Sequence, residues 1–69
     1  MKYLGIIEKA GNNYSAYLPD IPGCIATGRS KEEARQNVLE ALELHLQGLM
    51  DDNLPIPEPV SEADYVNAM

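Results

Sequence analysis

The sequence predicts an α+β fold: an antiparallel three-stranded sheet with one long helix on one face and a short C-terminal strand. Three observations predict it. Two short runs rich in Tyr, Ile and Leu flank the polar turn residues Gly11-Asn12-Asn13; a proline-bounded corner at Pro19–Gly23 leads into a third short run; and from Ser30 to Asp52 apolar residues recur at helical spacing.

Taken in order, residues 2–10 and 13–18 read as two strands of a hairpin, because Gly and Asn tolerate the positive φ that a tight turn needs. With a two-residue loop, either Gly11-Asn12 or Asn12-Asn13, pairing parity puts Tyr3, Ile7, Tyr14, Ala16 and Leu18 on one face and Leu4, Ile6, Ser15 and Tyr17 on the other. Both faces carry apolar side chains, and one helix covers only one of them. The second face therefore predicts self-association, as a homo-dimer or homo-tetramer, through Leu4, Ile6 and Tyr17.

Pro19-Asp20-Ile21-Pro22-Gly23 reads as a rigid connector, since each proline fixes its own φ and holds the preceding residue extended while Gly23 permits a sharp re-entry. Cys24 to Thr27, within residues 23–28, forms the third strand, and Gly28-Arg29 turns the chain into the helix. The helix, over residues 31–52, starts at Ser30 with Glu33 at the capping-box spacing and with Glu32 and Glu33 in a first turn that favours carboxylates. Ala34, Val38, Ala41, Leu42, His45 and Leu49 form its buried face, while Gln36, Glu40, Glu43 and Gln47 take the solvent side. Asp51-Asp52-Asn53 and Pro55 stop it after roughly 33 Å at 1.5 Å per residue. Pro55, Pro57 and Pro59 make residues 54–60 an extended run, and Tyr65-Val66 suit a strand over residues 64–67, although Ser61 and Asp64 would also cap a short helix.

With 69 residues the chain is one domain, residues 1–69, and a chain of that size buries only about 60% of its unfolded surface, so that oligomerisation is the usual remedy. One cysteine excludes an internal disulfide, and the absence of a secretory leader or a long apolar run places the chain in the cytoplasm, away from membranes. A net charge of −6 with five scattered Lys and Arg excludes the basic stripe that nucleic acid requires. It fits a basic protein partner, or simply keeps a small protein soluble.

The run Tyr14-x-Ala16-Tyr17-x-Pro19-Asp20-Ile21-Pro22-Gly23-Cys24, then Gly28-x-Ser30-x-Glu32-Glu33-Ala34, then Asn37-x-x-Glu40-Ala41, closed by Leu54-Pro55-x-Pro57-x-Pro59, resembles the HicB family of bacterial and archaeal antitoxins over nearly the whole chain. The resemblance implies a partial RNase H-like fold, β-β-β-α-β, and a role: binding and masking a small basic HicA-type toxin that cleaves RNA. Full-length relatives commonly continue into a ribbon-helix-helix or helix-turn-helix domain that binds the operator. The chain ends at Met69, and the expectation is that it does not bind nucleic acid directly.

An RNase H-like nuclease needs carboxylates converging on two metal ions. Here Asp20 lies in the connector, Glu32, Glu33, Glu40 and Glu43 run along the helix, and the strands offer only Glu8, so no catalytic residue, metal or cofactor is expected. His45 reads as a packed core residue and Cys24 as a small buried one. Candidate partner-binding residues are Asp20, Ile21, Glu40 and Glu43, although for Asp20 local capping of the backbone before Ile21 is the favoured reading. Pro19, Pro22, Gly23, Cys24, Gly28, Ser30 and Glu33 are structural. The alternatives to an antitoxin are an oligomeric interaction or ligand-sensing domain without a toxin, and a residual metal-dependent nuclease.

Overall fold

The computed structural model describes residues 1–69. Strands β1 (Ile6–Ala10), β2 (Asn13–Tyr17) and β3 (Ile25–Gly28) form one antiparallel sheet in the order β1-β2-β3, and helix α1 spans Lys31–Asp51. Ala10 pairs with Asn13, so the hairpin loop is Gly11-Asn12, with positive φ at Gly11 (63°). The pairing Ile7–Ala16–Ala26 turns one row toward the helix, and Ile6–Tyr17–Ile25 turns the neighbouring row away from it, as parity requires.

β1 is shorter than residues 2–10. Continuing its register beyond Ile6–Tyr17 would set Gly5 against Leu18 and Leu4 against Pro19. The Leu18 N–H points the other way, to the Cys24 carbonyl (3.2 Å), and Pro19, next in line to face β1, has no N–H to give, so the ladder stops. The connector closes with Ile21 N–H donating to Leu18 O (3.0 Å) and Cys24 N–H to Ile21 O (3.1 Å), which delays β3 until Ile25. Gly23 supplies the positive φ (81°) that this re-entry needs.

The helix begins as its residues dictate, with Ser30 Oγ accepting the Glu33 N–H at 3.0 Å. The return bond of Glu33 goes to the Arg29 N–H (3.0 Å), one residue before the cap. At the other end Asn53 adopts φ 56°; its N–H bonds Met50 O (3.1 Å) and Leu54 N–H bonds Leu49 O (2.8 Å), a Schellman closure one residue earlier than residue 52. Gly28 lets this helix approach: a Cβ there would stand 2.4 Å from the Ala34 backbone nitrogen. Asn37 Nδ2 then donates to Thr27 O (2.8 Å), fastening α1 to β3.

The core is Ala16, Leu18, Ile21, Cys24, Ala34 and Val38, with Tyr3, Tyr14, Ala26, Ala41 and Leu42 packed around it. Only 7 of 69 residues are buried, so hydrophobic burial within one chain is thin. α1 lies chiefly over β3 and β2 and barely reaches β1. Its second half overshoots the sheet, and His45, expected in the core, is exposed there because no strand lies beneath it. Residues 64–67 form no strand: the chain before them is tied to the connector, and neither Tyr65 nor Val66 has a strand neighbour.

Candidate protein-docking surfaces

Three surfaces and one clasp are left by this architecture. On the sheet face turned away from α1, Ile6, Tyr17 and Ile25 stand in one cross-strand row; Leu4, expected on the same face, precedes β1 and lies outside the paired register. Ile25, 61% exposed, was not singled out from the sequence; extending the alternation into β3 would have found it. The next row on that face, Glu8, Ser15 and Thr27, is polar, so the apolar patch is confined to the end near the connector. Beside it lies a shallow depression bordered by Tyr17, Pro19, Pro22 and Ile25.

The second surface is the overshooting half of α1. Residues 36–69 hold seven of the eleven carboxylates (Glu40, Glu43, Asp51, Asp52, Glu58, Glu62 and Asp64) and no Lys or Arg, whereas residues 1–35 hold all five cations and the other four carboxylates. Glu40 and Glu43 are exposed and flank Leu44, itself 76% exposed, with Leu39 and Met50 also open to solvent. Asp51 lies in the last turn of a helix with no basic residue there, where the negative end of the dipole disfavours a carboxylate. The third surface, between α1 and β1, is an open groove of about 580 Å³ walled by Tyr3, Ile7, Leu39 and Leu42 and edged by Lys2 and Arg35.

The clasp involves Asp20. One of its oxygens accepts the Val60 N–H (3.0 Å) and the Ser61 N–H (2.9 Å), and the other accepts the Ser61 hydroxyl (2.6 Å). The Ser61 hydroxyl, then its N–H, hold the Asp20 carboxyl below the usual carboxylate value, against a smaller opposing effect of burial. Tyr3 O–H donates to the Pro57 carbonyl, so the proline run is fastened at two points across one end of the sheet. Asp20 thus caps backbone, but that of a segment forty residues away, which no local spacing reveals. Ile21 is core, 1% exposed, and supports the connector from beneath. The structure therefore does not bring Asp20 and Ile21 together with Glu40 and Glu43 into one exposed set.

Cys24 Sγ faces the Val38 carbonyl at 3.9 Å, and burial pushes its thiol up, favouring the neutral form. No three His, Cys, Asp or Glu side chains are grouped to hold a metal ion. No helix is long and apolar enough to cross a membrane.

Exposed apolar rows bordered by charge, on a small three-stranded sheet-and-helix domain, are the features of a domain that meets other proteins. Residues 3–69 match the model of the HicB-like antitoxin of bacterial toxin-antitoxin systems, and the chain belongs to that family. An uncharacterised 14.9 kDa protein encoded in the rep-hol intergenic region of Haemophilus phage HP1 is 34% identical over 67 residues, 97% of this chain; the chain spans half of that protein's length. Among solved structures, the N-terminal domain of the Burkholderia pseudomallei antitoxin HicB superposes with a TM-score of 0.75 at 27% identity, covering 84% of this chain and 69% of that one. A chain of a HicA3–HicB3 toxin-antitoxin complex superposes with a TM-score of 0.69 at 33% identity, covering 87% and 70%.

Proposed function

We infer that this chain is an oligomeric, cytoplasmic antitoxin-like binding protein that neutralises a small basic HicA-type toxin by occluding its RNA-binding face, without chemistry of its own. The observation that carries this reading within the family is the charge segregation: every residue from 36 to 69 that bears a formal charge is acidic. Glu40 and Glu43 around exposed Leu44 offer a basic partner both charge and apolar contact. A cation docked at the helix C-terminus would also offset the unfavourable placement of Asp51. Acid-to-basic complementarity speeds encounter and selects the partner, and the apolar contacts set residence time. Asp20 and Ile21 contribute by holding the connector and the proline run in place rather than by touching the toxin.

The oligomer forms through Leu4, Ile6, Tyr17 and Ile25, because a domain with seven buried residues gains most by covering its remaining apolar patch. The test is RNA cleavage by the HicA-type toxin of the same host, with this chain added at increasing ratio. Cleavage should cease once the chain is in excess, and Glu40→Lys with Glu43→Lys should restore it by weakening the complex at least tenfold, with the loss deepening at low salt. A stable complex that leaves cleavage untouched would remove occlusion as the mechanism.

A further inference from the structure

We propose that the groove between β1 and α1 is filled by residues 62–69 of a second copy of the chain, exchanged across the oligomer. The groove exists because α1 passes over β3 and β2 and leaves the helix-facing side of β1 uncovered, so Ile7 is 36% exposed although it points toward the helix layer. Its walls are apolar, and its rim carries Lys2 and Arg35, neither of which has an ion-pair partner within the chain; the single ion pair joins Arg29 to Glu33.

The matching segment is on the same chain. In residues 62–69, Tyr65 is 100% exposed and Val66 89%, an apolar exposure that no other contact accounts for. In extended conformation Ala63, Tyr65, Asn67 and Met69 fall on one side, and Glu62, Asp64, Val66 and Ala68 on the other. A segment laid in the groove thus sends Tyr65 and Met69 between Ile7 and Leu39 while Glu62 and Asp64 meet Lys2 and Arg35 at the rim. Lys2 and Arg35 are the two cations that edge the groove, and no carboxylate lines it.

The path of the chain assigns the exchange to a second copy. The proline run passes the mouth of the groove at Tyr3, where Pro57 is held, and continues to the β2–β3 connector, where Asp20 holds Val60 and Ser61. From that anchor a chain's own residues 62–69 must double back toward Tyr3 to enter its groove, whereas a neighbouring molecule presents them without that reversal. Reciprocal exchange around a two-fold axis fills both grooves. The inference stands apart from the toxin reading and needs no toxin for its test.

The test mixes equal amounts of isotope-labelled and unlabelled full-length chain and records filtered NMR contacts between copies. Contacts from the Tyr65 ring and the Met69 methyl to the Leu39 and Leu42 methyls of the other copy are expected. Arg35→Glu should raise the dimer dissociation constant at least tenfold in low salt, and Arg35→Glu combined with Asp64→Lys should recover most of that loss. Contacts found only within a copy, no contacts at all, or a charge swap that restores nothing would each overturn the proposal.

Discussion

The half of the molecule formed by β2, β3, the connector and the first turns of α1 differs sharply from the half formed by β1, the end of α1 and the residues after it. In the first, every buried residue is accounted for by a neighbour: Gly28 admits the helix, Ser30 caps it, Asn37 ties it to Thr27, and Ala16, Ile21, Cys24, Ala34 and Val38 close a small core. In the second, Ile7, Leu39, Leu44, Met50, Tyr65 and Val66 are open to solvent and most of the carboxylates have no cation. One half contains what the chain needs in order to fold, and the other holds apolar and charged surface that has no partner within the chain. Small cores are usually stabilised by oligomerisation or binding, and that stabilisation enters through the second half together with the outer row of Ile6, Tyr17 and Ile25 on the sheet.

The sharpest way to break the contrast is to empty the first half. Ile21→Ala should cost about 3 to 5 kcal/mol, because Ile21 is the largest fully buried side chain and its removal leaves a cavity under the connector. In a domain whose total stability is only about 0.05–0.15 kcal/mol per residue, that loss approaches the whole. Circular dichroism at 25 °C should show an unfolded or partly folded chain; a well-folded variant with a melting temperature near that of the parent would mean that the core lies elsewhere.

A smaller pair of changes compares the two halves on one helix. Ser30→Ala should cost about 1 kcal/mol through loss of the bond to the Glu33 N–H. Leu44→Ala, at an exposed position, should stay within about 0.5 kcal/mol in a thermal melt. The order matters more than the size: a Leu44 variant that melts lower than the Ser30 variant at low protein concentration would show that the open half of α1 packs on its own chain after all.

What is local in either half was legible in the sequence. Tight-turn residues, the Ser30 cap, the parity of the hairpin and the helix stop at Asp51-Asp52-Asn53 and Pro55 are written in local spacing, and local spacing survives folding. What was not legible depends on how far each element extends over its neighbour. His45 and Leu49 belong to the same apolar stripe as Val38, but the sheet under them ends, so His45 is exposed while Leu49 keeps only partial cover. Leu42 likewise packs at the margin of the core rather than inside it. β1 lost its first residues to the proline that follows the partner strand, a constraint visible only once the register is known. Tyr65 and Val66 have strand propensity but no strand edge within reach, and propensity without a partner makes no sheet. Among the candidate binding residues, Glu40 and Glu43 lie on the solvent side as expected, whereas Asp20 and Ile21 are engaged within the chain because of contacts forty residues away and a turn that folds inward.

The finest test of the contrast is the clasp that joins the two halves, and its pH dependence follows from the direction of the Asp20 shift. Ser61 and Val60 donate to the ionised carboxylate, so the folded-state value lies below the ordinary 3.8. A group depressed in this way contributes its stabilisation in full above the ordinary value and loses it as pH falls through the folded value. Between neutral pH and about pH 5 the clasp should therefore be unchanged, and it should open only below 3.8. The amide signals of Val60 and Ser61 report this directly: both should move together in acid while those of Ala16 and Val38 hold, because the core makes no use of that carboxylate. Asp20→Asn replaces the charged acceptor with a weaker neutral one and should abolish the titration while leaving the sheet and helix intact. If Ser61 instead titrates above the ordinary carboxylate value, the hydrogen bonds favour the protonated form and the segment is not held by charge. If Ala16 and Val38 titrate with it, the two halves form one cooperative unit and the division between them disappears.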